Sequence, residues 1–261
     1  MSFNRRFIVY LLLLSLSALP ARLYAESKSS MVKGPRPVAQ AVEQLESLYG
    51  FPITYEDPPY VHESEKADVT DQVHRDRQNG DRVLIPKGGS FSYAYILPDA
   101  GAYPGGGLRQ TTAVVADVLA NMLQSHAASR NGEMFNVTRS NGLFHVVPTH
   151  FINESGKVEQ LTPLLSMEIN ISLKSRTSMD LVKEICESLS LVTGQTVILG
   201  TIPSSLLASH TTRITTSGEA ARSILSRSLQ EFNIPLSWQL FYDPGSHVHV
   251  LNIHVVTLAN K

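Results

Sequence analysis

His247 and His249 stand two residues apart in an apolar, β-branched run close to the C-terminus, which predicts a strand. On a strand that spacing turns both imidazoles to one face, the geometry of a chelating pair for zinc or copper. His254 falls on the opposite face of a regular strand. A third ligand would have to come from Asp243 in the preceding turn, or from His145 or His150 far away in the chain. Without one, the pair is simply two half-exposed histidines at a strand end. Carboxylates are densest at Glu56, Asp57, Glu63 and Glu65. Two carboxylates at the right separation hydrolyse glycosidic bonds, but a Pro-rich, charged stretch equally describes a solvated loop. Gly105-Gly106-Gly107 ahead of Thr111 offers backbone N–H groups to a phosphate. It lacks both the Lys-Ser/Thr of a P-loop and the G-x-G-x-x-G spacing, so a loop is the better reading. Neither G-x-S-x-G nor H-E-x-x-H occurs. Cys186 is the one cysteine, so no internal disulfide forms, and its apolar helical surroundings predict a small buried hydrophobe. No cofactor is expected from any of these patterns.

Composition narrows the partners. The net charge is −1 and there is no basic block, which argues against nucleic acid as the main partner. Arg5 and Arg6 precede an apolar run, Phe7 to Leu19, of about thirteen residues, and a small-residue stretch ends at Ala25. These predict an export signal over 1–25 with cleavage after Ala25. The alternative is an uncleaved anchor, for which the run is short. No later run is long enough to cross a bilayer as a helix.

The elements that position these residues follow from periodicity. Residues 26–37 are polar with Gly34, Pro35 and Pro37, and predict a flexible lead. Val38, Val42, Leu45 and Leu48 form a helical stripe closed by Gly50. Pro52 to Tyr55 predicts a short strand, and Val69 to Val73 another. Strands follow at Val83–Ile85 and Phe91–Ile96. Thr111 is expected to cap a helix faced by Val115, Val118, Leu119, Met122 and Leu123 and ended by Asn131-Gly132. Phe135–Thr138 and Leu143–Val147 form a hairpin through Asn141-Gly142. Residues 148–163 carry no clear pattern and mark a domain boundary. Met167–Leu173 predicts a strand, Thr177 to Asp180 a capping box, and Leu181, Ile185, Leu189 and Val192 a helix face closed by Gly194. Thr211–Thr216 predicts a strand, and Thr216 to Glu219 a second capping box that opens a helix to Phe232. Leu236–Tyr242 and His247–Val256 then form a hairpin through Asp243-Pro244-Gly245. Aromatic residues gather at Phe91, Tyr93 and Tyr95 and at Trp238, Phe241 and Tyr242, either as core or as a docking patch.

The expected class is α+β: small antiparallel or mixed sheets with helices packed on one face, built of repeated strand–helix–strand modules. An N-terminal domain spans 38–150, and a C-terminal domain of two modules spans 164–261. The stretch Thr215-Thr216-Ser217-Gly218-Glu219-Ala220-Ala221, its helix, and the strands Trp238–Tyr242 and Val248–Ile253 resemble the short N-terminal modules of secretins and TonB-dependent receptors. Met167–Leu199 carries a poorer match and Val38–Tyr55 a fragment. The resemblance implies an exported, free-standing protein made of such modules. The chain also resembles exported bacterial proteins more broadly.

Two functional expectations follow. The first is a non-enzymatic periplasmic or secreted protein that binds an envelope protein or itself, through the edge of the last strand at Val248, Val250 and Ile253. The second is an envelope hydrolase or metal-dependent enzyme using His247 and His249. A small-ligand carrier lies between them, and an enclosed cavity would favour it.

Overall fold

Residues 53–56 and 143–148 are buried at every position, and residues 236–240 are too. Strands of this kind must be covered on both faces. The computed structural model describes residues 27–73, 82–97, 108–130 and 134–259. The export signal over 1–25, the Gly105–Gly107 loop and the Asn131-Gly132 helix stop lie outside these residues.

In chain order the described elements begin with β1 (Ser27–Gly34), α1 (Pro37–Tyr49), β2 (Ile53–Glu56), β3 (Lys66–Asp68), α2 (Thr70–Val73), β4 (Leu84–Pro86), β5 (Gly89–Ile96) and α3 (Leu108–Arg130). They continue as β6 (Phe135–Ser140), β7 (Leu143–Pro148), β8 (His150–Ile152), β9 (Val158–Gln160), β10 (Glu168–Ile171), β11 (Arg176–Thr177), α4 (Ser178–Thr193) and β12 (Val197–Leu199). The last are α5 (Ser204–Ser209), β13 (Thr211–Thr212), β14 (Thr216–Ala220), α6 (Ala221–Gln230), β15 (Leu236–Asp243) and β16 (Val248–Val255). The class is α+β. No helix among the described residues is long and apolar enough to cross a membrane.

A six-stranded mixed sheet in the order β12-β16-β15-β2-β7-β6 forms the centre. The β6–β7 and β15–β16 pairs are antiparallel hairpins. Strand β2 lies parallel between them, with Tyr55 opposite Gln239 on one side and Val146 on the other. The expected domains over 38–150 and 164–261 therefore share one sheet. They keep separate cores. Ile53, Tyr55, Phe144 and Val146 pack with α1, α3 and the β1–β5 ladder. Trp238, Leu240, Leu251 and Ile253 pack with α4 and α6. Alternation on β15 serves both, since Leu240 enters the second core and Phe241 packs on the first. Each set of helices covers one face of its strands, so the shared sheet is clothed on both.

Several local expectations hold because the deciding interactions are local. Gly50 and Gly194 end α1 and α4 in the left-handed region, at φ 62° and 70°. Thr177 caps α4 by accepting from the Asp180 N–H at 3.1 Å, and its hydroxyl donates to the Asp180 carboxylate at 2.7 Å. Asn141 and Gly142 both have positive φ, 49° and 74°, as a two-residue type I′ hairpin requires.

Others do not hold. Over the described residues 27–37 the expected flexible lead is not found: β1 pairs with β5 over eight positions and buries Val32. Only Met31 and Val32 are apolar there, so no period was visible, and the strand depends on its ladder. Val69–Val73 is not a strand but carries the short helix α2. Thr111 lies inside α3, which begins at Leu108. The Thr216–Glu219 capping box does not form either. Those residues belong to β14, which pairs with β10, and α6 begins at Ala221 behind an Ala220 that provides no side-chain cap. Glu219 instead accepts two hydrogen bonds from Arg227, at 2.7 and 3.0 Å. Val192 is exposed rather than part of the α4 face. Residues 148–163 are not a patternless connection, since β8 and β9 form a hairpin there.

Val32 is 2% exposed and its neighbour Met31 70%. Val32→Ala is expected to lower stability by about 2 kcal/mol, and Met31→Ala by less than about 0.5 kcal/mol, in urea unfolding. Equal, negligible effects would return the segment to a loose lead.

Candidate functional site

A carboxylate taken out of water needs donors on both oxygens. Asp57 has them. Its Oδ2 accepts from Arg36 Nε at 2.6 Å and from the Tyr242 N–H at 3.0 Å. Its Oδ1 accepts from the Tyr55 and Tyr60 hydroxyls at 2.7 and 3.0 Å. Burial pushes the Asp57 carboxyl up from its ordinary value, and the Arg36 guanidinium beside it and the hydrogen-bond donors pull it part of the way back. Glu56 is held likewise. It accepts from the Leu165 N–H at 3.1 Å and from Arg222 Nη2 at 2.5 Å, while Arg222 Nη1 donates to Ser166 at 2.9 Å. Burial raises its pKa, opposed by Arg222. Each carboxylate is thus committed to its own arginine, and the two do not form an acid–base pair. Glu63 is an exposed partner of Lys66 at 2.9 Å.

The histidines are dispersed. His247 sits in the turn before β16 with φ 57°, and its Nδ1 lies 2.8 Å from the Tyr242 hydroxyl. His249 is buried on β16, with Nε2 2.7 Å from Gln195 Oε1. Both rings contact the Tyr242 ring, at centroid distances of 6.2 and 5.0 Å. Burial lowers the His249 pKa to about 4, which keeps the ring neutral. Among the described residues no group of three His, Cys, Asp or Glu side chains comes together to hold a metal. His254 faces the other way, as alternation requires, and meets Glu46 at 2.8 Å. His145 is enclosed between Thr54 at 2.7 Å and Ser140 at 2.8 Å and stacks on Trp238. His150 lines a cavity elsewhere. Cys186 is buried and burial pushes its thiol up to about 12, so it is a packed, protonated side chain.

The strand edge expected at Val248, Val250 and Ile253 is occupied by the chain itself. Strand β12 lies parallel to His249–Leu251, and the His249 and Ile253 N–H groups donate to Thr196 and Thr201 at 2.8 and 2.9 Å. Ile253 is buried in the second core. No docking edge is left there. Strand β12 pairs along the edge of β16, while Leu251 and Ile253 pack against α4 and α6. The aromatic groups are also mostly interior: Phe91, Tyr93, Trp238 and Tyr242 are buried.

Two other features emerge. The first is the outer edge of β6, the last strand of the sheet. Its two-residue turn makes Ser140 and Leu143 the closing hydrogen-bonded pair, so Thr138–His145 and Asn136–Val147 are bonded too. The backbone groups of Val137 and Arg139 therefore point away from β7. The Val137 N–H is met by its own neighbour, Asn136 Oδ1, at 2.7 Å. Alongside runs an open groove of about 510 Å³, walled by Thr112, Ala113 and Ala116 of α3 and floored by Val137, Arg139 and Phe144.

The second is a half-enclosed cavity of about 420 Å³ at the start of α1. Arg36, Tyr55 and Tyr60 reach it from above the Asp57 carboxylate, and Glu65 and His126 reach it from other sides. Phe135 and the β8–β9 hairpin residues Ile152 and Val158 supply apolar wall. The sequence offered little warning of either. Arg36 lay in the supposed lead, and the alternation of Phe135, Val137 and Arg139 looked like any hairpin strand.

The interior histidines carry a pH signature. His145, lowered to about 4 by burial and then by Arg222, and His249 at about 4 bind no proton in the fold at pH values where an unfolded imidazole at about 6.5 does. The unfolded state then holds more protons, so stability falls as pH drops from about 6.5 to 4, by on the order of 3 kcal/mol per ring. Urea midpoints measured across this window should fall for the wild type and fall less for His145→Gln. Parallel slopes for both would contradict the assignment.

Comparison of the chain with protein-family models, with curated proteins and with solved structures found no match to any of them.

Proposed function

We propose that this chain is an exported, non-enzymatic protein of the bacterial envelope that binds a protein partner by strand addition along β6. The observation that carries this reading is the outward-facing backbone of Val137 and Arg139 beside the α3 groove. An extended segment laid there would take the Val137 N–H from Asn136 and extend the central sheet, a recurrent way of recognising peptides. Ala113 and Ala116 put small side chains on the helix wall of that groove. Arg139, exposed and held 5.5 Å over the Phe144 ring, favours a carboxylate on the incoming segment.

Further support comes from what the would-be catalytic groups do. Glu56 and Asp57 are each tied to an arginine, and His249 to Gln195. The export reading rests on the Phe7–Leu19 run and on the likeness to secretin-type modules. The latter is supported by the order β14, α6, β15, β16, a strand leading to a helix at an Ala pair and then a hairpin. A few added backbone hydrogen bonds, at about 1 kcal/mol net each, with a small apolar contact predict a weak, reversible complex, in the micromolar range.

The test uses a photo-crosslinking residue at Thr138 in the periplasm. A partner should be captured there, and capture should vanish with Val137→Pro, which deletes an outward N–H without breaking the β6–β7 ladder. Arg139→Glu should reduce it at least tenfold. Capture that is indifferent to both substitutions would sink the reading.

A further inference from the structure

We propose that the cavity at the start of α1 is a binding site for a small zwitterion, of the size of an apolar amino acid or a dipeptide. This site is separate from the β6 edge and stands without it. Its volume, about 420 Å³, lies in the range of small-molecule sites and suits a ligand of one or two residues.

The charges define the ligand. Arg36 uses Nε on Asp57 and Nη2 on the Tyr242 carbonyl oxygen, at 2.6 and 2.7 Å. Among the described residues its Nη1 makes no hydrogen bond, and the side chain is 23% exposed on the cavity wall. The Phe241 ring lies 4.7 Å from the guanidinium carbon and holds its plane. A ligand carboxylate can therefore bond Nη1 without disturbing the Asp57 pair. Arg36 also immediately precedes α1, whose first turn has no side-chain cap, so the helix dipole adds to the same field. Glu65, 5% exposed, brings a carboxylate to the same cavity. A carboxylate offers about four acceptor positions, so it takes a ligand ammonium in addition to the contacts it already makes. A purely anionic ligand would face Glu65, and a purely cationic one Arg36; a zwitterion satisfies both. Val38, Phe135, Ile152 and Val158 are left to receive an apolar side chain.

The site is also held in place from below. Tyr55 and Tyr60 form part of its wall, and both hydroxyls are anchored on Asp57 at 2.7 and 3.0 Å. Arg36 shares that anchor. Groups whose orientation is set by a buried layer lose little freedom on binding, the condition for useful affinity from few contacts.

Titration of the purified protein with L-phenylalanine and L-leucyl-L-leucine, followed by NMR chemical shifts and calorimetry, tests this. Saturable binding is expected. N-acetyl-phenylalanine, which lacks the ammonium, and phenylalanine amide, which lacks the carboxylate, should each bind at least tenfold more weakly. Ile152→Trp, which fills the cavity away from the Asp57 layer, should abolish binding with circular dichroism unchanged. Val158→Trp, at the cavity mouth, provides the same block if Ile152→Trp disturbs the fold. No saturable binding by either zwitterion overturns the proposal. So does equal affinity for the blocked derivatives, or binding that survives both tryptophan variants.

Discussion

Asp57 is a carboxylate without access to water, and the architecture is arranged to make that tolerable. Two of its four donors are neighbours in the chain, Tyr55 within β2 and Tyr60 in the following loop, and two are distant, Arg36 ahead of α1 and the backbone of Tyr242 in β15. Removing a buried charge from such a network leaves its partner stranded, at a cost of about 3–5 kcal/mol, whereas the intact pair adds little net stability. The network thus favours one arrangement of the chain over its alternatives more than it deepens the well. Glu56, the preceding residue, does the same on the opposite side of the strand with Arg222 and the Leu165 N–H. Glu46 adds a third tie, bonding the Ile53 N–H at 2.8 Å and His254 at 2.8 Å. Burial works against a charged His254, but Glu46 beside it outweighs burial and raises its pKa.

These ties account for how β2 is placed between the hairpins β6–β7 and β15–β16. Strand β2 has only four residues, and its backbone pairing with β15 spans two register positions, Gln239 with Tyr55 and Leu240 with Glu56. Side-chain anchors on Glu56 and Asp57 supply what so short a ladder lacks. The arrangement also decides which surfaces remain. At one end β12 covers β16 and becomes the edge strand, and the other end is β6, with outward backbone groups unmatched by a strand among the described residues. The Asp57 layer, meanwhile, presents Arg36, Tyr55 and Tyr60 to the cavity beyond it.

Legibility in the sequence followed the range of the interactions. The helix stripes of α1 and α4, the glycine stops, the Thr177 cap and the Asn141-Gly142 turn depend on residues within a few positions, and all could be read. The Thr216–Glu219 motif had the same local form but lost to β14 pairing with β10, a contact with residues 168–171. Strand β1 was invisible because its polar sequence becomes a strand only against β5. The separation between Arg36 and Tyr242, 206 positions, shows why the Asp57 network was read as a solvated acidic loop. The candidate site suffered most. The histidine pair was expected on one strand, but His247 sits in the turn at positive φ and only His249 lies on β16, and the cavity is assembled from stretches scattered between residues 35 and 158.

Buried carboxylates thus weld two separately packed halves into one cooperative sheet. Differential scanning calorimetry of the purified protein at neutral pH tests that cooperativity directly. A single transition, with calorimetric and van't Hoff enthalpies in agreement, is the predicted result. Two resolved transitions, or a calorimetric enthalpy well above the van't Hoff value, would mean that the halves unfold independently and that the ties through β2 do not join them.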